Sequence, residues 1–216
     1  MTDYTPDPSF TVSSEDALRD LFPPTHDVAV LKVLDHIDPH ARSYIARSPF
    51  VCLGTQNADG KADVSPRGDP AGFVEVLDAR TLAIPDRPGN NRLDTLANIV
   101  SNPSIALLFI VPGFDDTMRI NGQAHITTDP AVLDRMRVQD RVPKVAIIVR
   151  VETVFIHCAK AFRRSKLWDP TQHQDRSALP SLIKIVMDQT KAAPADADAQ
   201  RVLDEGLEEA YRTTMY

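Results

Sequence analysis

The chain has 216 residues, 43% of them hydrophobic and 25% charged, with a formal net charge of −6. That length suits one domain with a core of useful size, and the acidic balance argues against a nucleic-acid backbone or an anionic membrane as main partner. No apolar run approaches the roughly 20 residues of a membrane span. The start, M-T-D-Y-T-P-D-P, lacks the basic and apolar regions of a secretory signal, so the cytoplasm is the expected compartment.

In chain order, the first dozen residues read as an extended arm rich in Pro, Asp, Ser and Thr. Ser13 and Asp16 have capping-box spacing and predict a short helix to about Leu21, ended by Pro23-Pro24. A second helix is expected over 27–37, with Val30, Val33, Leu34 and Ile37 on one face. Pro39 suits the first turn of a third, running to about Arg47.

After Pro49 the period changes to two. Residues 50–56 predict a strand, N-A-D-G (57–60) a hairpin turn and 61–67 its partner. Further strands are expected at 72–77 and 81–85, a helix over 92–101 that stops before Pro103, and an apolar strand at 104–111. In 117–127, Met118, Ile120, Gly122, Ala124 and Ile126 alternate with Arg119, Asn121, Gln123 and His125. A short helix at 130–137 precedes the long strand run 144–158. So many strands joined by tight turns predict a mainly β fold, an antiparallel closed or nearly closed barrel with flanking helices. Beyond it, 180–190 reads as a helix, A-P-A-D-A-D-A (193–199) as a hinge, and the last helix aligns Leu203, Leu207 and Tyr211.

Two places carry candidate chemistry. Arg67 ends a strand beside Gly68, and Arg92 starts a helix after Gly89-Asn90-Asn91. Arginine offers a two-pronged fork to an anion, and a helix start adds unpaired N–H groups, so the pair suits an anionic group. The competing reading makes Asn91 a helix cap, with Asp94 completing the box and Arg92 solvated. The second place is Lys160, Arg163, Arg164, Ser165 and Trp168, basic groups around the only tryptophan. They would suit an anionic aromatic ligand, or they form an amphipathic connector with Phe162, Leu167 and Trp168 as core.

Other constellations are bland. His36 and His40 flank Pro39 without the glutamate of a zinc protease, so no metal site is expected. His125 and His157 read as structural residues, and Cys52 and Cys158 as buried, inert thiols. G-x-S-x-G, a Walker loop and G-x-G-x-x-G are absent.

Several motifs in order resemble the pyridoxamine 5′-phosphate oxidase-like, FMN-binding split-barrel family, and in particular its branch of probable FMN-dependent proteins. They are V-S-P-R-G-D (64–69), A-I-P-D-R-P-G-N-N-R-L-D-T-L-x-N (83–98), N-P-S-I-A-L-L-F (102–109), M-R-I-N-G-Q-A (118–124) and H-C-x-K-A-F-x-R-S-x-L-W (157–168). The resemblance implies a homodimer with FMN in clefts between subunits. Val64, Ser65, Pro66 and Arg67 would line the flavin, Ile84 and Pro85 would follow the ring edge, and Asn91 and Arg92 would join Arg67 at the phosphate. Gln123, Lys160, Arg163, Ser165 and Trp168 would approach from the partner.

The expected organisation is an arm with helices packed on the barrel over 1–48, an FMN-binding barrel over 49–170, and C-terminal helices over 171–216 that belong to the same domain or to a dimer contact. The family oxidase's R-L-H-D-R signature has no counterpart here, so the cofactor carries over and the vitamin B6 substrate does not. The implied activity is FMN-dependent oxidoreduction of a small molecule. A flavin-storage protein, or the same barrel holding haem or a deazaflavin, is the alternative. No residue is identified as catalytic acid or base; Lys160 is the candidate for stabilising charge on a reduced ring.

Overall fold

The computed structural model describes residues 3–192, 194 and 196–216, so Ala193 and Ala195 of the predicted hinge lie outside the described residues. The chain divides into two units, one ending at Val33 and one running from Leu34 to Tyr216. In the first, a 3₁₀ turn (Pro8–Phe10) precedes α1 (Glu15–Arg19) and α2 (Asp27–Leu31), and no residue of these elements is buried. Ser14, not Ser13, caps α1.

The second predicted helix ends at Leu31 rather than 37. Leu34 instead exchanges backbone hydrogen bonds with Val154, N to O at 2.9 Å and back at 2.8 Å. A bridge of that kind outweighs the weak helical preference of a Val- and Leu-rich stretch. Helix α3 (Pro39–Ile45) begins as its sequence predicts, with Asp38 accepting from the Ala41 amide at 2.7 Å.

Seven strands form one wholly antiparallel sheet in the order β2-β1-β5-β6-β7-β4-β3. They are β1 (Phe50–Gln56), β2 (Ala62–Gly68), β3 (Glu75–Asp78), β4 (Thr81–Pro85), β5 (Ser104–Ile110), β6 (Thr117–Thr127) and β7 (Ala146–His157). Helix α4 (Asp94–Ser101) follows β4, α5 (Pro130–Arg135) joins β6 to β7, and α6 (Lys160–Ser165), α7 (Leu182–Gln189) and α8 (Ala197–Thr214) complete the chain. The expected mainly β fold with flanking helices is therefore observed. Its edges, β2 and β3, pair with one neighbour each, so the barrel is open between them.

The core gathers Val51, Leu53, Leu82, Ile84, Phe109, Ile120, Ile147 and Val149 from alternate positions of five strands. Ser48, buried at the mouth of β1, donates to the carbonyls of Phe50 or Ile110 at 2.7 and 2.8 Å and ties β1 to the end of β5. Tyr44 buries its ring and donates to the Asp116 carbonyl at 2.7 Å. Burial raises its phenol pKa to about 12.

The β6–β7 register shifts between Asn121 and Gly122. A Cβ at position 122 would lie 2.0 Å from the Arg150 carbonyl oxygen. The close approach of the two backbones there is what requires glycine. Gly122→Ala is expected to cost about 2–3 kcal/mol through overpacking, read as a lower urea midpoint at unchanged slope.

Candidate functional site

The site grows from edge strand β2. Because side chains alternate along a strand, Asp63, Ser65 and Arg67 are half-buried on one face while Val64 and Pro66 are exposed on the other. Pro66 is tolerated because it opposes Cys52 on an edge strand with one neighbour. Helix α4 packs across β1 and β2, burying Thr95 and Ile99. Its Asn98 amide donates to Thr55 Oγ1 at 3.1 Å, and Thr95 Oγ1 reaches Asp63 at 3.5 Å.

Between β4 and α4 the backbone adopts two left-handed residues, Asn91 (φ 57°) and Leu93 (φ 62°). Asparagine tolerates that conformation, but leucine there costs on the order of 1–2 kcal/mol. Leu93, not Asn91, is the N-cap of α4, and it contributes no side-chain cap. The helix therefore starts two residues after Arg92, and the expected Asn91–Asp94 box does not form. Asp94, Thr95 and Leu96, whose amides open the helix without a side-chain cap, line a cleft of about 480 Å³.

The same cleft is lined by Val64, Ser65, Pro66, Arg67, Pro85, Asn91 and Arg92, so seven of the thirteen proposed cofactor residues meet there. Arg67 is the most enclosed cation of that group. Its Nη1 donates to Ser65 Oγ at 2.5 Å and to the Pro66 carbonyl at 3.0 Å, and its Nη2 lies 3.6 Å from Asp86. Its Nε is buried without a hydrogen-bond partner among the described residues. Leaving a charged donor unpaired costs more than a neutral one, so this atom calls for an acceptor. Arg92 is different: 73% exposed, with Nε on Asp94 at 2.7 Å, a surface pair of small energetic weight.

Sequence reasoning missed Arg87 and Asp86, which line the cleft beside them. Arg87 Nε donates to Asp69 at 2.6 Å, with Asp69 1% exposed. Asp69 and Arg87 are 18 residues apart and carry no local pattern; the only available signal was a second arginine in the same polar loop.

The remaining candidates lie elsewhere. Ile84 is fully buried in the core, because alternation on β4 turns it away from the face of its neighbour Pro85. Gln123 is on β6, three strands along the sheet from β2, and does not line the cleft. The Lys160–Trp168 segment docks on its own β5–β6 turn: Arg163 Nε meets Asp115 at 3.0 Å and Trp168 Nε1 donates to the Phe114 carbonyl at 2.8 Å. Ser165 Oγ donates to the Phe162 carbonyl at 3.0 Å, and the Phe162 and Trp168 rings stand 5.8 Å apart. Lys160 opens α6 and does not line the cleft. The expectation of two buried thiols needs correction: Cys52 is half-buried, with burial raising its pKa, while Cys158 is exposed just past the end of β7.

A family model described as pyridoxamine 5′-phosphate oxidase matches residues 37–158. No curated protein matches the chain. Among solved structures, a putative pyridoxamine 5′-phosphate oxidase from Lactobacillus delbrueckii is 21% identical, covering 56% of this chain and 95% of its own at a TM-score of 0.45. HupZ from Group A Streptococcus is 22% identical over 56% of this chain and 93% of that one, at 0.46. HutZ, the heme storage protein from Vibrio cholerae, is 13% identical over 56% and 94%, at 0.39.

Asp86 yields a test of the cleft's electrostatics. Burial raises its pKa, opposed by the neighbouring Arg67. The folded chain then holds this proton more tightly than the unfolded chain, so Asp86 subtracts stability as pH rises through the aspartate range. Asp86→Asn is expected to gain stability relative to the native chain between pH 3 and pH 7. Urea unfolding at the two pH values reads the difference, and a gain that does not grow with pH contradicts the burial argument.

Proposed function

The chain belongs to the pyridoxamine 5′-phosphate oxidase family, and on that footing we propose that it binds FMN and acts as an FMN-dependent oxidoreductase on a small molecule. The observation that carries this reading is Arg67, which lines a cleft beside an uncapped helix start and keeps a buried Nε without a hydrogen-bond partner among the described residues. A phosphate there would accept from Arg67 and from the first amides of α4, with Asn91 and Arg92 closing the outer side. Val64, Ser65, Pro66 and Pro85 would border the rest of the cofactor. When bound, FMN supplies the electron or hydride transfer, and the protein supplies position and electrostatics. Ser65 holds Arg67 in place, since its hydroxyl takes one prong of the guanidinium.

The proposal includes a homodimer. Gln123, Lys160, Arg163, Ser165 and Trp168 do not line their own chain's cleft, and we assign them to the cleft of the partner. Light scattering should then give twice the 23.9 kDa of one chain, and a monomer that retains flavin would remove these five residues from the site. The two free thiols, Cys52 and Cys158, fit a reducing compartment, so we place the protein in the cytoplasm. Among the described residues, no helix is long and apolar enough to cross a membrane.

Purified protein should be yellow or should take up added FMN with quenching of its fluorescence. Arg67→Ala should weaken FMN about 10- to 100-fold, the loss of one charge-assisted contact, at unchanged circular dichroism. Arg67→Lys should fall between, keeping the charge without the fork. Colourless protein indifferent to micromolar FMN would overturn the assignment. Reduction by NADH or NADPH no faster than that of free FMN would favour storage over turnover.

A further inference from the structure

Helices α7 and α8 form a hairpin, joined where Ser181 Oγ and the Gln200 amide both donate to Asp204, at 2.7 and 3.0 Å. The chain leaving α8 brings Tyr216 to the back of the cleft. Its hydroxyl donates to Asp69 Oδ1 at 2.5 Å, while Arg87 Nε holds Oδ2 of the same carboxylate at 2.6 Å. The Arg87 guanidinium also lies 5.8 Å from the centre of the Tyr216 ring.

Asp69 thus uses one oxygen for a residue that lines the cleft and the other for a residue 147 positions away. Among the described residues, the loop that carries Arg87 has no ladder hydrogen bonds of its own. Its ties to the barrel are the Asp86 amide on the Val145 carbonyl at 3.1 Å, the Arg87–Asp69 pair and the longer Arg67–Asp86 contact at 3.6 Å. A carboxylate that is 1% exposed and accepts from two donors is fixed in orientation, and losing one donor frees it to turn.

We infer that Tyr216 is a positioning residue for the cleft, acting through Asp69 on Arg87 and the loop up to Leu93. Seating of the end of α8 and binding in the cleft then favour each other. By reciprocity, whatever ordering of the tail contributes to ligand affinity, ligand binding returns as ordering of the tail. The inference rests on the flavin reading only for the identity of the ligand.

Two measurements on the full chain decide it. In the free protein, Tyr216→Phe removes the hydroxyl but keeps the ring. Exchange of the Arg87 Nε–H hydrogen bonded to Asp69 should speed up severalfold while the amides of β5 and β6 stay unchanged; unchanged Nε–H exchange would overturn the inference. In FMN titrations the same variant should bind on the order of fivefold more weakly, and Asp69→Asn combined with Tyr216→Phe should be no weaker than Asp69→Asn alone. FMN should slow exchange over residues 211–216 in the native chain and not in Tyr216→Phe, a response that a purely structural tail would not give. Strict additivity, or a tail indifferent to FMN, would count against the coupling. If the native chain takes up no FMN, the flavin assignment falls, and the exchange comparison in the free protein still decides the role of Tyr216.

Discussion

The seating of α4 across β1 and β2 is the constraint on which the cleft depends. Thr95 and Ile99 bury the inner face of that helix, and the Asn98–Thr55 hydrogen bond fixes its angle to the strands. Once it is seated there, its first turn stands over the face of β2 that carries Asp63, Ser65 and Arg67. The chain between β4 and α4 must then cross from the sheet interior to the helix in a few residues, which the two left-handed residues accomplish. The left-handed backbone at Leu93 stands two residues before the buried Thr95, and unusual backbone of this kind is associated with functional sites.

Each cleft arginine already has an aspartate within reach: Asp86 for Arg67, Asp69 for Arg87 and Asp94 for Arg92. An incoming dianion would therefore compete with carboxylates rather than meet bare charge. The three pairs are unequal. The 2.6 Å Arg87–Asp69 contact is enclosed, so it orders the loop, whereas Arg67–Asp86 is stretched to 3.6 Å and leaves Nε free. Geometry thus divides the arginines into one that builds the wall and one that keeps a buried donor unpaired among the described residues.

Period-two patterning made most of the sheet readable from sequence. The strands 50–56 and 117–127 have the predicted limits, and the alternation along β6 is matched by its burial. That Arg67 and Arg92 would lie near each other was also readable, because each sat beside glycine or asparagine at an element end, but Arg92 is largely solvated. What could not be read is non-local. The start of α4 is set by a leucine in a conformation that no propensity favours, and Asp69 acquires its meaning only when Arg87 and Tyr216 arrive from distant parts of the chain. Ile84 shows the reverse failure: it sits in a suggestive motif, yet two-sided burial of β4 commits it to the core.

Strand β2 exposes an outer edge, and Pro66 lies in the middle of it. Proline has no amide hydrogen to offer, so a stray extended segment cannot zip along this border in an unbroken ladder. The chain can thereby leave a sheet margin open beside the cleft while denying edge-to-edge strand pairing a template.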